Sequence, residues 1–539
     1  MIRFLNILLR IIGVFAILVL SGFSYLRFAK VRSHALKTKT WENRVKQYRD
    51  LPQTSVYLSS DKDIYIAGEN LWYNAFILDA QTVELSEQDH ILYLQLVNTE
   101  TDSTVWKEMY PVVHGTSSGH VYLAPALPAG KYMLRAYTAH SFFRDQTNLY
   151  AVTPIQIVKT AAAIKNYGRP AAAAPFQTGK RLNIRITGIQ AAYTSKEPVS
   201  LKITSTDATG KPMPAVISIS IFDRLFNNPA IDHDIASYYY EKKENYLTKK
   251  PFLPDSISGQ VLGKKMSRQL LMLFNYNKSV TQFLSTDNNG KFFLDADNLS
   301  IGQRFFIKYF SEKDLHFQIA DPFDTILALQ VADRYKENPI LHPDPDAGAN
   351  RLQYNNLLKE IVVKSTGREF ADPYLGYLDS IAKFEGNTDY VGQCGWLNCP
   401  ACGSGTKPIE GQVYSELKPD KKMSVSSHPF SFGGDDYIKQ PYHYPKYTAA
   451  ALLQKFKMAV TKGFYQHSPF YSPDYEKEDR QLSDTRNVLY WNPLIITDQN
   501  GEATIQFYTS DIKAAFIGRV AGVSLNGAVG SAQFSFPVR

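Results

Sequence analysis

Cys394, Cys399 and Cys402 are the only cysteines of the chain, and their spacing is the first pattern with chemical potential. Three thiolates fill three corners of a tetrahedral zinc shell, so a metal site would need a fourth ligand such as His428, His443 or His467. In an oxidising compartment the same residues give one disulfide and one free or intermolecular thiol. A bridge across two residues is tight, which places Cys394 in the expected bridge. An iron–sulfur cluster lacks its distal fourth cysteine. No metal and no cofactor are therefore expected.

Gly115-Thr-Ser117-Ser-Gly119 matches the nucleophile-elbow pattern, with His114 and His120 beside it. That pattern works only on a strand-turn-helix of a parallel α/β sheet, whereas here it leads into VYLAPALPAGKY, a strand and a Pro/Gly turn. The expectation is a loop, with Ser117 dispensable and both histidines on the surface. Asp287-Asn-Asn-Gly290 hints at calcium but lacks the closing glutamate of an EF-hand, so it reads as a turn. Neither a nucleotide loop nor a zinc-protease helix is found, and the chain is expected not to be an enzyme. A third feature is aromatic: Tyr442, Tyr444, Tyr447, Phe464, Tyr465, Phe470 and Tyr471 could present a binding surface to a protein or a glycan. They could equally pin an irregular segment onto its neighbours.

The elements that must position these residues are short and alternate with period two: ILYLQLV at 91–97, KYMLRAYT at 131–138, IQIV at 155–158, LNIRITG at 182–188 and VSLKIT at 199–204. Such runs, separated by turn residues, predict β-sandwiches. TDATGK at 206, TDNNGK at 286 and TDQNGE at 497 repeat one turn, each read as a hairpin tip with the glycine at positive φ. Three distant copies imply at least three separate β-modules. One helix is predicted over YTAAALLQKFKMAVTKGF, 447–464.

Charge narrows the partners. Of the net +8, residues 1–50 hold ten Lys/Arg against Glu42 and Asp50, so the remaining body is neutral and nucleic acid is excluded as a partner. Residues 11–26, IIGVFAILVLSGFSYL, form the only long apolar run, roughly 24 Å as a helix. They read as an export signal, cleaved or kept as a membrane anchor.

The residues SVYLSSDKDIYIAGENLWYNAFILDA (55–80) and LPAGKYMLRAYT (127–138) resemble the second macroglobulin domain, through Asp61-Lys62, Gly68 and Trp72. VLYWNPLIITDQNGEATIQFYTSD, at the start of the last module, is similar to the aromatic-Trp-x-Pro region of alpha-2-macroglobulin-like proteins. ISGQVL with TDNNGKFFL resembles carboxypeptidase regulatory-like sandwiches, and LLKEIVVKSTG (357–367) the opening of a TonB-receptor plug. Together they resemble macroglobulin-domain envelope proteins of Bacteroidetes type. The resemblance implies that Gly68 makes a turn and that Trp72 or Tyr73 fills the sandwich core. Two departures matter. Cys394-Gly-Trp-Leu397 is no Cys-Gly-Glu-Gln thioester, which excludes covalent trapping, and too little chain follows the plug-like segment for a transport barrel.

The expected fold is mainly β: tandem immunoglobulin-like or macroglobulin β-sandwiches with a less regular α+β insert. Its divisions are 1–26 signal or anchor, 27–50 basic linker, 51–160 macroglobulin-type sandwich, 161–180 Ala/Pro linker, 181–225 second sandwich, 226–256 Tyr-rich connector, 257–332 carboxypeptidase regulatory-like sandwich, 333–356 linker, 357–480 plug-like region with the cysteines and helix, and 487–539 C-terminal module. The expected function is a non-enzymatic, exported scaffold that binds envelope proteins, an outer-membrane complex among them. The alternatives are a peptidase inhibitor without thioester, with proteases as partners, and a glycan-binding accessory protein. The expected location is the periplasm or outer membrane, or the inner membrane through residues 11–26.

Overall fold

The computed structural model describes residues 54–80, 82–141, 151–164, 181–236, 255–263, 267–311, 315–329, 373–418, 436–466, 468–478 and 481–539. The signal or anchor, the basic linker, the plug-like 357–367, His428 and His467 lie outside them. Among the described residues no helix is long and apolar enough to cross a membrane. The fold is mainly β.

Eight strands come first: β1 (Thr54–Ser60), β2 (Ile64–Ile66), β3 (Asn70–Asp79), β4 (Ile91–Asn98), β5 (Ser103–Pro111), β6 (Thr116–Tyr122), β7 (Gly130–Tyr137) and β8 (Ala151–Val158). They form two facing sheets, β1-β3-β6 and β2-β8-β7-β4-β5, around a core that includes Tyr73, Leu94, Leu134 and Ile155. Gly68 turns the chain between β2 and β3 at φ +104°, a backbone that favours glycine. Neighbouring residues of a strand face opposite ways, so Tyr73 enters the core while Trp72 points out of it.

Next come β9 (Asn183–Thr187), β10 (Pro198–Thr206) and β11 (Ala215–Asp223), then β12 (Ile257–Leu262), β13 (Leu270–Phe274), β14 (Thr281–Ser285), β15 (Lys291–Leu294), α1 (Ala296–Leu299), β16 (Arg304–Tyr309), β17 (His316–Ile319) and α2 (Pro322–Leu329). After them follow α3 (Pro373–Ser380), β18 (Trp396–Leu397), β19 (Val413–Leu417), β20 (Tyr437–Pro441), α4 (Ala449–Lys455) and β21 (Met458–Lys462). Last are β22 (Val488–Ile496), β23 (Glu502–Tyr508), β24 (Ala515–Ser524) and β25 (Val529–Pro537).

The expected separate modules at 181–225 and 487–539 are one sandwich. Its sheets are β23-β10-β9 and β22-β11-β24-β25, closed over a shared core that includes Leu201, Ile219, Ile505 and Phe516. The reason is visible in β11, AVISISIFD, which is buried along its whole length and needs a partner on each edge; β22 and β24 supply them. Pro493 is accommodated because β22 is an edge strand with register shifts against β11.

The third sandwich also borrows from afar. Its sheets are β15-β12-β17 and β14-β13-β16-β21, so the strand at Met458–Lys462 closes one edge. The helix expected over 447–464 therefore ends at Lys455. Thr448 caps its start by accepting from Ala451 N–H, and Lys457 at φ +57° breaks the helical path before β21 begins. α3 and α4 cover part of the outer face of this sheet through Leu378 and Leu452 against Phe274 and Phe306.

All three repeated turns fold alike, but not as hairpin tips within one sheet. In each, the aspartate carboxylate (Asp207, Asp287, Asp498) accepts the N–H groups two and four residues on, and the glycine sits at φ +86°, +78° or +69°. The strands on either side enter opposite sheets: β10 and β11, β14 and β15, β22 and β23. Each turn is thus the arch of a sandwich. Two of them belong to the second sandwich and touch, since Ser205 N–H donates to Gly501 O at 2.8 Å, so three copies do not mark three modules.

Candidate functional site

Polar side chains gather at the joint between the first and second sandwich, and thiols in the cysteine loop before β19.

The joint is built from Asp61, Lys62 and Asp63 between β1 and β2, all buried. Lys62 Nζ donates to Glu69 Oε2 at 2.8 Å and to Asn487 Oδ1 at 2.8 Å, and lies 4.5 Å from the Phe226 ring centroid. Asn487 Nδ2 returns a bond to Glu69 Oε1 at 2.7 Å. Asp63 Oδ1 accepts from Arg519 Nη1 at 2.9 Å and lies 3.0 Å from His233 Nε2, while its Oδ2 accepts from Asn228 N–H at 2.7 Å. Burial works against the charge on Asp63, but Arg519 and His233 more than offset it and hold the carboxyl below the usual carboxylate range. For His233, burial and the Arg519 charge win over Asp63 and lower the imidazole. Asp61 behaves the opposite way: burial pushes its carboxyl up to about 7 despite Lys62, the Tyr65 hydroxyl at 2.6 Å and the Trp72 N–H at 2.9 Å. Apolar clusters flank these charges, Tyr57 and Phe76 with Val216 and Val523 on one side, Ile64 and Val158 with Phe222 and Ile517 on the other.

In the cysteine loop, β18 pairs parallel to β19, and Val391 bridges to Leu397 and Thr406. These pairings fold the chain back on itself, so the sulfurs of Cys394, Cys399 and Cys402 all lie within 4.8 Å of one another. Cys394 Sγ and Cys402 Sγ are 3.4 Å apart, and all three are free thiols. The Cys394 backbone N–H draws the Cys402 thiol down, whereas desolvation pushes Cys394 up. His443 is not a member of this group: its Nδ1 is held 2.9 Å from Glu410 Oε1. Asp287 serves the arch described above.

The nucleophile-elbow reading fails on structure as well as context, and the loop expected there is mostly strand. His114 and Gly115 make the turn, and Ser117 lies in β6 opposite Ala75, 4% exposed. His120 is not on the surface: it is 8% exposed, its ring 4.9 Å from Trp72 and 5.7 Å from Tyr465.

The seven aromatics do not form one surface. Tyr442 and Tyr444 pack with Tyr414 and Leu397 beside β19. Phe464 is buried in the cluster joining the first and third sandwiches, and Tyr465 packs on Trp106 and Tyr110 of the first. Phe470 stacks edge-on against Trp72 at 5.5 Å. Tyr447 lies beside Lys455, and Tyr471, 60% exposed, donates to Glu478 at 2.6 Å. Phe464, Tyr465 and Phe470 thus act as staples from the insert onto sandwiches far away in sequence, while the other four contact residues of the insert itself.

Sequence reasoning singled out Asp61-Lys62 only as a resemblance and missed Asp63, His233, Asn487 and Arg519. The available signal was a run of three charges, Asp61-Lys-Asp63, between two apolar strands, which demands buried partners.

No family model matches the chain, and no curated protein matches it. Solved structures do align with it. The native conformation of E. coli alpha-2-macroglobulin is 10% identical with a TM-score of 0.26, covering 90% of this chain and 40% of that one. Salmonella alpha-2-macroglobulin reacted with methylamine is 8% identical with a TM-score of 0.25, over 90% and 40%. The E. coli adhesin FdeC is 12% identical with a TM-score of 0.16, over 49% and 61%. This chain thus spans about 40% of the length of the macroglobulins it aligns with, and scores this low carry no argument about function.

Proposed function

We propose that the protein is an exported, non-enzymatic scaffold that binds another envelope protein through a fixed surface. The observation that carries this reading is the interlocking of the sandwiches by residues distant in sequence: β11 with β22 and β24, β16 with β21, Lys62 with Asn487, Asp63 with Arg519. A body held in this way keeps one surface and suits a lasting partner. In this reading the partner contacts β14, an edge strand, and the outer face beside it, where Phe283 and Leu270 are more than half exposed. An extended segment of the partner would add to that edge. The resemblance of 55–80 and of the last module to macroglobulins keeps a second reading, a non-covalent peptidase inhibitor. Glycan binding loses a single platform, because the aromatics that suggested it are dispersed over separate places.

Crosslinking in intact cells followed by mass spectrometry tests the proposal. One recurrent envelope partner, crosslinked near β14 and lost on Phe283→Asp, is the expected result. Recovery of a changing set of peptidases would favour the inhibitor.

A further inference from the structure

We infer that Cys394, Cys399 and Cys402 form a three-thiolate site for a soft divalent cation of the zinc class. Four features of the loop point there. First, all three sulfurs lie within 4.8 Å of one another, the spacing of ligands around one tetrahedral ion, whose Zn–S bonds of about 2.3 Å put sulfurs about 3.8 Å apart. A disulfide would use two of these sulfurs and leave the third beside it without a role.

Second, the backbone wraps this centre twice in the same way. Cys394 and Cys402 are each followed by a glycine in the left-handed region, Gly395 at φ +79° and Gly403 at φ +65°. Left-handed backbone at these glycines reverses the chain beside each sulfur, with Gly395 N–H donating to Gly392 O at 2.8 Å and Gly403 N–H to Cys399 O at 3.4 Å.

Third, Gly392 leaves the room the sulfur needs, since a Cβ there would come within 2.7 Å of Cys402 Sγ. Fourth, the loop is braced independently of the sulfurs. Tyr390 hydroxyl donates to Cys399 O at 2.6 Å, Asn398 Nδ2 donates to Asp389 Oδ1 at 2.8 Å, and Cys402 N–H donates to Cys399 O at 3.1 Å. Cys399 is buried and Cys394 exposed, so the fourth coordination position faces outward. Uptake of the ion displaces a proton from each protonated thiol.

The test uses the full chain, reduced and freed of reductant without air, and titrated with Co2+ and then Zn2+. The expected result is one equivalent of Co2+ per chain, an intense thiolate-to-cobalt charge-transfer band that Zn2+ abolishes, and protection of the thiols from alkylation. Cys394→Ser, at an exposed position, should keep the thermal transition of the parent and weaken metal binding at least tenfold, and Cys402→Ser should do the same. The inference is overturned if the reduced chain takes up no cobalt into a thiolate site. It is equally overturned if the band is unchanged in Cys394→Ser and Cys402→Ser.

Discussion

The first sandwich meets its two neighbours by different physics. Against the second it presents buried charge, Lys62 and Asp63 matched to Asn487 and Arg519 between two apolar clusters. Against the third it presents buried carbon: Ile91, Tyr93, Met109 and Tyr137 pack with Leu271, Ile307, Phe323 and Ile326, and Tyr93 meets Phe323 edge-on at 5.8 Å. The ion pairs of this second joint, Lys107 with Asp321 and Lys462 with Glu108, lie towards solvent. An apolar joint tolerates many packings of similar volume, whereas a buried charge that loses its partner is strongly penalised. The first joint is therefore the one that fixes a single relative placement, and the other mainly contributes area.

The sharpest way to break this contrast is Arg519→Ala, which leaves Asp63 buried against His233 and Asn228 alone. A loss of about 3–5 kcal/mol is expected from the urea midpoint, unaffected by salt, with part recovered by adding Asp63→Asn. Phe323→Ala should cost about 3 kcal/mol by removal of a buried ring, with no dependence on pH. If the two variants instead responded alike to pH, the distinction between the joints would fall.

A pH series sharpens it further. The Asp61 carboxyl, at about 7 in the fold, starts near 3.9 in the unfolded chain, so its contribution favours folding below that value and is lost as pH rises towards 7. Asp63 has the opposite sign: its contribution is present above the unfolded value and lost as pH falls through the folded one. Asp61→Asn should therefore flatten the decline between pH 4 and 7 and stabilise the protein at pH 8 by on the order of 2 kcal/mol, read from thermal melts at matched ionic strength. Smaller still, Lys107→Ala at the second joint should change stability by less than about 1 kcal/mol, and by less in high salt. Ser117→Ala should stay within about 1 kcal/mol, and a fluorophosphonate probe should leave Ser117 unlabelled, because its hydroxyl is buried in β6.

What the sequence made legible follows from range. The runs at 91–97, 131–138, 155–158, 182–188 and 199–204 each lie in a strand, overrunning it by at most one residue at either end, since alternation is a local signal. The Asp-x-x-Gly turns were legible as turns, but whether they close a hairpin or arch between sheets is decided by where the next strand finds its partner. That partner is remote for β11 and for β16, whose neighbours come from β22, β24 and β21. Met458–Lys462 reads as helix after ALLQKFK because nothing local announces Lys457 at positive φ; pairing with β16 overrides propensity. The site divides in the same way. The cysteines are close in sequence and were found at once, whereas Asp63, His233 and Arg519 meet only in the fold. The seven aromatics look contiguous in sequence and are scattered by it.

The scaffold reading stands most directly on the fixed surface, and one measurement bears on that: the full chain incubated with several endopeptidases, followed by small-angle scattering and a denaturing gel. A locked body predicts an unchanged radius of gyration and no protease-containing band that survives denaturation. One specific cleavage, followed by compaction and such a band, would contradict it and restore a trapping inhibitor.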